Sequence, residues 1–153
     1  MPRLNDFSYK GRYRYFVTLR CFLHTYHFSN YETTTYALEI LKETAERQSF
    51  HVWAYCFMPD HAHLLIEGKL EDSDMGKFIS AFKQRTSFWF RSRFKAKLWQ
   101  PGYYDRILRA DESTSRVIRY ILDNPVRKKI VSDYSKYRNS GSLELTDISQ
   151  LFE

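Results

Sequence analysis

The stretch Phe57-Met58-Pro59-Asp60-His61-Ala62-His63-Leu64-Leu65-Ile66-Glu67 decides how the rest of the chain is read. Side chains alternate faces along a strand, so His61 and His63 share one side while Ala62, Leu64 and Ile66 take the other. Two imidazoles on one face can converge on one ion. Met58-Pro59-Asp60 ahead of them predicts a tight connection, because proline fixes its own φ and aspartate accepts turn geometry. The expectation is a hairpin whose second strand carries a pair of metal ligands. Ions of this kind usually take three protein ligands, so a third has to come from elsewhere in the chain.

Outward from the hairpin, the pattern alternates between strand and helix. Tyr13 to Phe22 reads as a first strand, with Phe16, Thr18 and Arg20 set against Tyr15, Val17, Leu19 and Cys21. Residues 31–48 carry Ala37, Leu38, Ile40, Leu41 and Ala45 at helical spacing. Phe50 to Met58 is the second strand and the histidine stretch the third. A second helix, Met75 to Phe94, follows the acidic turn at Glu71 to Asp74, with Met75, Phe78, Ile79 and Phe82 on one face. Tyr103 to Arg109 reads as a fourth strand. A last helix over residues 112–124 takes Asp111 or Ser113 as N-cap and stops at Pro125, since the residue before a proline is pushed out of helical geometry. The predicted architecture is α+β: a ferredoxin-like βαββαβ antiparallel sheet with an added C-terminal helix. Residues 1–12 form an N-terminal arm offering Arg3, Lys10 and Arg12 to a polyanion. Residues 13–131 are the domain, and residues 132–153 a polar, mostly irregular tail.

Composition fits one compact domain, since 153 residues with 43% hydrophobic and 18% aromatic content suffice for a core. Cys21 and Cys56 lie in apolar runs without ligand spacing and read as buried thiols of a reducing compartment. No leader and no membrane-length apolar run is visible, so a cytoplasmic protein with no membrane partner is expected. The net charge of +6 is uneven: between Lys77 and Arg109 there are nine basic side chains and one acidic one, Asp105. That region suits a phosphate-tracking surface, with Lys83, Arg85, Arg91, Arg93, Arg106 and Arg109 as candidate contacts. Phe88, Trp89 and Phe90 read as core in preference to base-stacking residues. The loop pair His24 and His27 reads as surface.

On the last helix, at about 100° per residue from Arg116, Val117, Ile118, Ile121 and Leu122 form the buried stripe and Tyr120 and Asn124 fall at about 40° and 80°, beside it. Four residues apart, they are neighbours on one face. An asparagine oxygen can ligate a hard cation, and a phenol beside it can attack a polarised phosphorus. Spacing alone does not single out one tyrosine among twelve.

Three blocks together are more specific: Met58-Pro59-Asp60-His61-Ala62-His63-Leu64-Leu65-Ile66, Leu98-Trp99-Gln100-Pro101-Gly102-Tyr103-Tyr104-Asp105-Arg106, and Arg119-Tyr120-Ile121-Leu122-Asp123-Asn124-Pro125-Val126. In this order they closely resemble the single-tyrosine HUH transposases, and within them the REP-associated tyrosine transposases. The resemblance implies a nuclease fold in which His61, His63 and a polar side chain, here Asn124, hold Mg²⁺ or Mn²⁺. Tyr120 would attack single-stranded DNA to leave a 5′-phosphotyrosine and a free 3′-hydroxyl, so that another 3′-hydroxyl can rejoin strands without ATP. The implied partner is single-stranded DNA near an imperfect hairpin, met by a monomer or a homodimer. Asp60 stands where asparagine is common, which could alter the turn, and the tail matches the family only loosely. Two alternatives stay open at this stage: a non-catalytic ferredoxin-like nucleic-acid-binding module, and a metal-dependent nuclease that uses water.

Overall fold

The computed structural model describes residues 8–152 as a five-stranded antiparallel sheet with helices on both faces. Strands β1 (Arg14–Arg20), β2 (Phe50–Met58), β3 (His61–Gly68), β4 (Tyr104–Ile107) and β5 (Ser140–Gly141) stand in the order β4-β1-β3-β2-β5. The first four follow the order of a ferredoxin-like βαββαβ chain. Helices α1 (Tyr31–Gln48) and α2 (Met75–Phe94) have the bounds that their apolar periodicity predicts. Asn30 accepts from the Glu32 amide to cap α1, and Asp74 from the Lys77 amide to cap α2. Most of the expected N-terminal arm, including Arg3, lies outside the described residues. Lys10 bridges to Asp74, and the Gly11 amide donates to the Ser73 carbonyl, so the chain from Lys10 is tied to the start of α2.

One face of the sheet is a closed core. Tyr15, Val17 and Leu19 of β1 and Ala62, Leu64 and Ile66 of β3 are fully buried against Ile40 and Leu41 of α1 and Phe78, Ile79 and Phe82 of α2. Each large side chain removed from water contributes about 1.5–3 kcal/mol, so this face carries most of the hydrophobic stabilisation. Trp99, in the segment between α2 and β4, joins it and donates its ring N–H to Thr86 Oγ1 at 2.8 Å in the interior. Phe90 belongs to this core, Trp89 stacks on Tyr36, and Phe88 is 76% exposed.

The opposite face is covered only in part. Helix α3 (Thr114–Leu122) lays Val117, Ile118, Ile121 and Leu122 over Ala54, Cys56 and Met58 of β2 and Leu65 of β3. A bulge at Trp53 makes this possible. Val52 pairs with Ile66 but Ala54 pairs with Leu65, so two residues of β2 oppose one of β3. The phase of β2 flips there, turning Ala54, Cys56 and Met58 toward α3 while Tyr55 and Phe57 face the larger core.

Three expectations need correcting. The fourth strand is shorter than Tyr103 to Arg109. The last helix begins at Thr114, capped by Ser113, and ends at Leu122; Asn124 opens a separate turn, α4 (Asn124–Arg127). Pro125 takes an early position in that turn, where its missing N–H is not needed. The C-terminal segment is not simply irregular. It supplies β5 on the free edge of β2 and packs Tyr137, Leu145, Ile148, Leu151 and Phe152 onto the α3 face.

Candidate metal and tyrosine site

His61 and His63 project from β3 on the α3 face, as strand alternation requires. Pro59 and Asp60 alone connect β2 to β3, and the turn is held from outside: the Cys21 amide donates to the Asp60 carbonyl and the Phe28 amide to the Pro59 carbonyl. The two Nε2 atoms are 3.1 Å apart. Two donors each about 2.1 Å from a shared ion stand roughly 3 Å apart when adjacent in its coordination shell, so this spacing fits one metal. The other ring nitrogens are both engaged. His61 Nδ1 meets Asp60 Oδ1 at 2.6 Å, and His63 Nδ1 meets Thr18 Oγ1 at 2.9 Å across the β1–β3 ladder. An Nδ1–H donated to an oxygen fixes the tautomer that leaves the Nε2 lone pair free for a metal.

His63 is held neutral. Burial, the neighbouring His61, and the positive charges of Arg20, Arg127 and Lys128 push its pKa down to about 3. Among the described residues no three His, Cys, Asp or Glu side chains gather into one group, so a candidate third ligand beside the two histidines is sought among other side-chain types. Asn124 is such a residue. It is buried, its Oδ1 accepts from Arg127, and its Nδ2 has no hydrogen-bond partner. Its turn brings Arg127 and Lys128 close enough to act on His63.

Tyr120 sits on α3 over the same face with its side chain 55% exposed, and the Phe16 ring links it to the histidines, 6.2 Å from Tyr120 and 5.3 Å from His63. Arg14 on β1 anchors the helix start. Its guanidinium donates to the Glu112 carbonyl at 2.6 Å, the Thr114 hydroxyl at 2.8 Å and the Arg109 carbonyl at 2.7 Å. Arg127 anchors the helix end, donating to the Tyr120 carbonyl at 2.8 Å and to Asn124 Oδ1 at 3.2 Å, with its guanidinium carbon 4.0 Å from the centre of the Tyr120 ring. Tyr120 and Asn124, placed in separate helical pieces, are thus joined through one cation.

The six basic candidates do not form one surface. Lys83, Arg85, Arg91 and Arg93 lie on α2, across the sheet from the histidines. Lys83 donates to the Gln100 and Gly102 carbonyls, Arg85 pairs with Glu43, and Arg93 pairs with Glu32. Arg106 of β4 lines one cleft with Tyr120 and is paired with both oxygens of Glu112, while Arg109, just beyond β4, is largely exposed beside Asp111. The sequence reading did not bring out Phe16, Thr18, Asp60 or Arg127 as parts of this site. The alternation of β1 had already put Phe16 and Thr18 on one side, and pairing β1 with β3 is what makes that side the histidine side. Of the loop histidines, His24 is exposed but His27 packs its ring on Phe90, 4.5 Å between centroids.

A ferredoxin-like sheet with paired imidazoles on an inner strand and a tyrosine on the helix across that face narrows the class sharply. Residues 13–124 match the model of the IS200-like transposases, and the chain belongs to that family. It is 27% identical over 122 residues to a Haemophilus influenzae protein classed as a REP-associated tyrosine transposase, the match covering 68% of each chain. Among solved structures, a REP-associated tyrosine transposase bound to a REP hairpin superposes with a TM-score of 0.72 at 19% identity, over 92% of this chain and 82% of that one. A Deinococcus radiodurans protein classed as a transposase gives 0.55 at 21%, over 79% and 95%. Among the described residues no helix is long and apolar enough to cross a membrane.

Proposed function

We propose that this transposase cleaves and rejoins single-stranded DNA beside a hairpin through a covalent 5′-phosphotyrosine on Tyr120, in the cytoplasm, with Mg²⁺ or Mn²⁺ held by His61, His63 and Asn124. The observation that carries the reading is the convergence of the His61 and His63 Nε2 atoms, 3.1 Å apart, on a face shared with an exposed tyrosine. Nitrogen ligands with an amide oxygen suit manganese well and magnesium acceptably. When bound, the ion supplies Lewis-acid polarisation of a phosphate oxygen.

The chain's own groups account for the remaining demands. Asp60 and Thr18 hold the imidazoles in the ligating tautomer. Arg127 clamps the backbone of Tyr120 and lies against its ring, which limits where the phenol oxygen can reach. The phenol oxygen forms a bond to phosphorus as the bond to the 3′-oxygen breaks; the phenol gives up its proton and the 3′-oxygen leaves as a hydroxyl. The new ester retains the phosphodiester energy, so a 3′-hydroxyl can attack it in reverse. Hairpin binding by the structural relative, with the net charge of +6 on this chain, supports DNA hairpins as the substrate class.

Peptide mapping tests this reading. After incubation of the full chain with Mn²⁺ and single-stranded hairpin oligonucleotides followed by nuclease trimming, the peptide containing Tyr120 carries a nucleotide mass. Cleavage with every tyrosine unmodified would instead indicate water as the nucleophile.

A further inference from the structure

Beside Tyr120, between β4 and α3, a cleft of about 460 Å³ opens to solvent, within the roughly 300–1,000 Å³ range of small-ligand pockets. Its walls are Phe16, Tyr104 and Tyr120, and its polar groups are Arg106, Glu112 and Arg116. Tyr104 and Tyr120 are 38% and 55% exposed, so two large aromatic surfaces face solvent at the same opening.

The polar groups divide by function. Glu112 accepts from Arg106 Nη1 through both oxygens, at 2.8 and 3.0 Å, and from the Arg109 amide at 2.9 Å. Those bonds hold its carboxyl below the usual range, so it stays ionised and neutralises Arg106. Arg116 is different: no ion pair or side-chain hydrogen bond engages its guanidinium among the described residues. The cleft therefore offers aromatic walls and one uncommitted, fork-shaped donor.

Register fixes where the cleft lies relative to the histidines. Thr18 on β1 pairs with His63 on one side and Tyr104 on the other, so all three share one row across the sheet. Neighbouring strands are about 4.8 Å apart, which places Tyr104 about 10 Å from His63 along that row. A phosphate at the histidines and a base in the cleft can belong to one nucleotide or its neighbour. The other large surface pocket, between α1 and α2, lacks these features. It lies across the sheet from Tyr120, its Trp89 is already stacked on Tyr36 at 4.3 Å, and its Arg85 is paired with Glu43.

We propose that the β4–α3 cleft is a subsite for one unstacked nucleobase, belonging to a nucleotide that directly abuts the scissile phosphate, with guanine preferred. The base packs against Tyr104 and Phe16, and Arg116 reads its edge. A guanidinium fork matches the O6 and N7 acceptor pair of guanine, whereas adenine places a donor beside N7 and the pyrimidines offer no such pair. This subsite rests on the reading of Tyr120 as the nucleophile. Stacking adds about tenfold in affinity whatever the base, and the bidentate contact supplies about a tenfold preference for guanine.

The test uses the full chain, Mn²⁺ and hairpin oligonucleotides whose single-stranded flanks are randomised. Sequencing the strands linked to protein and the strands released reads the base on each side of the cut. The expected result is guanine enriched about tenfold at one of the two abutting positions. Arg116→Lys, which keeps the charge but loses the fork, forms adducts with that enrichment reduced toward background, and Tyr104→Ala reduces the discrimination against an abasic nucleotide at the same position. Wild-type adducts with all bases equally represented at both positions would overturn the subsite while leaving the nucleophile standing. Enrichment of another base, or guanine enrichment unchanged in Arg116→Lys, would overturn the role of Arg116. Absence of any adduct on Tyr120 would remove the nucleophile reading and the subsite with it.

Discussion

The two faces of this sheet are made from the same strands and do opposite work. On the α1/α2 face, β1 and β3 present Tyr15, Val17, Leu19, Ala62, Leu64 and Ile66, and two long helices close over them. On the other face the same strands present Phe16, Thr18, His61 and His63, and the single helix α3 covers β2 and only part of β3. A strand alternates its side chains whatever they are, so one hairpin can hold a dry core on one side and an open, polar site on the other. Rigidity for the site comes from the core behind it: the imidazoles are carried on an inner strand buried between neighbours.

This division can be broken at four points. The largest effect is expected for His61→Ala combined with His63→Ala, which lowers Mn²⁺ affinity and DNA cleavage together, cleavage by at least about a thousandfold, while the melting temperature in chelator stays close to wild type. Calorimetry with Mn²⁺ and a cleavage assay check this. Phe82→Ala on the closed face does the reverse. It costs about 3–5 kcal/mol, a fall of roughly 10 °C for a chain of this length, while the folded fraction keeps its Mn²⁺ affinity. A destabilised variant with lost metal binding would show that the faces are coupled more tightly than the packing indicates.

Thr18→Val sharpens the comparison within the open face. It keeps the shape of the side chain but removes the oxygen that His63 Nδ1 meets at 2.9 Å, and Mn²⁺ affinity falls about 10–100-fold. The smallest effect concerns His27, whose pKa is lowered chiefly by burial, partly offset by a hydrogen bond to the Lys97 backbone. The unfolded chain takes up this proton near pH 6.5 while the folded chain resists it, so the stability is complete above that pH and is lost as pH falls through the lowered folded value. His27→Gln therefore gives a slightly flatter decline in melting temperature between about pH 7 and 5.

How much of this was legible in sequence follows the same division. Helices α1 and α2 and the histidine strand were readable to within a residue, because long periodic apolar patterns report a closed core. The bulge at Trp53 was not, since Val52 to Met58 is apolar or aromatic throughout and offers no alternation to mark a change of phase. Strand β5 is only two residues long and carries no pattern. The break at Asp123 was hidden because the chain stays near helical dihedrals there and Pro125 suggested a later stop. Charge density picked out α2 but cannot report which side of the sheet a helix covers, nor that Arg85 and Arg93 have acidic partners on α1. Tyr120 and Asn124 stood out through the family resemblance, whereas Arg127, which ties them together, followed the last recognisable block by one residue.

The most direct measurement is a denaturing gel of the protein incubated with labelled single-stranded hairpin DNA, with Mn²⁺ or with chelator, beside Tyr120→Phe. The account predicts a slower protein–DNA band that needs both Mn²⁺ and Tyr120, with hairpin binding retained by Tyr120→Phe. A band of normal intensity in Tyr120→Phe, or one that persists in chelator, would contradict it.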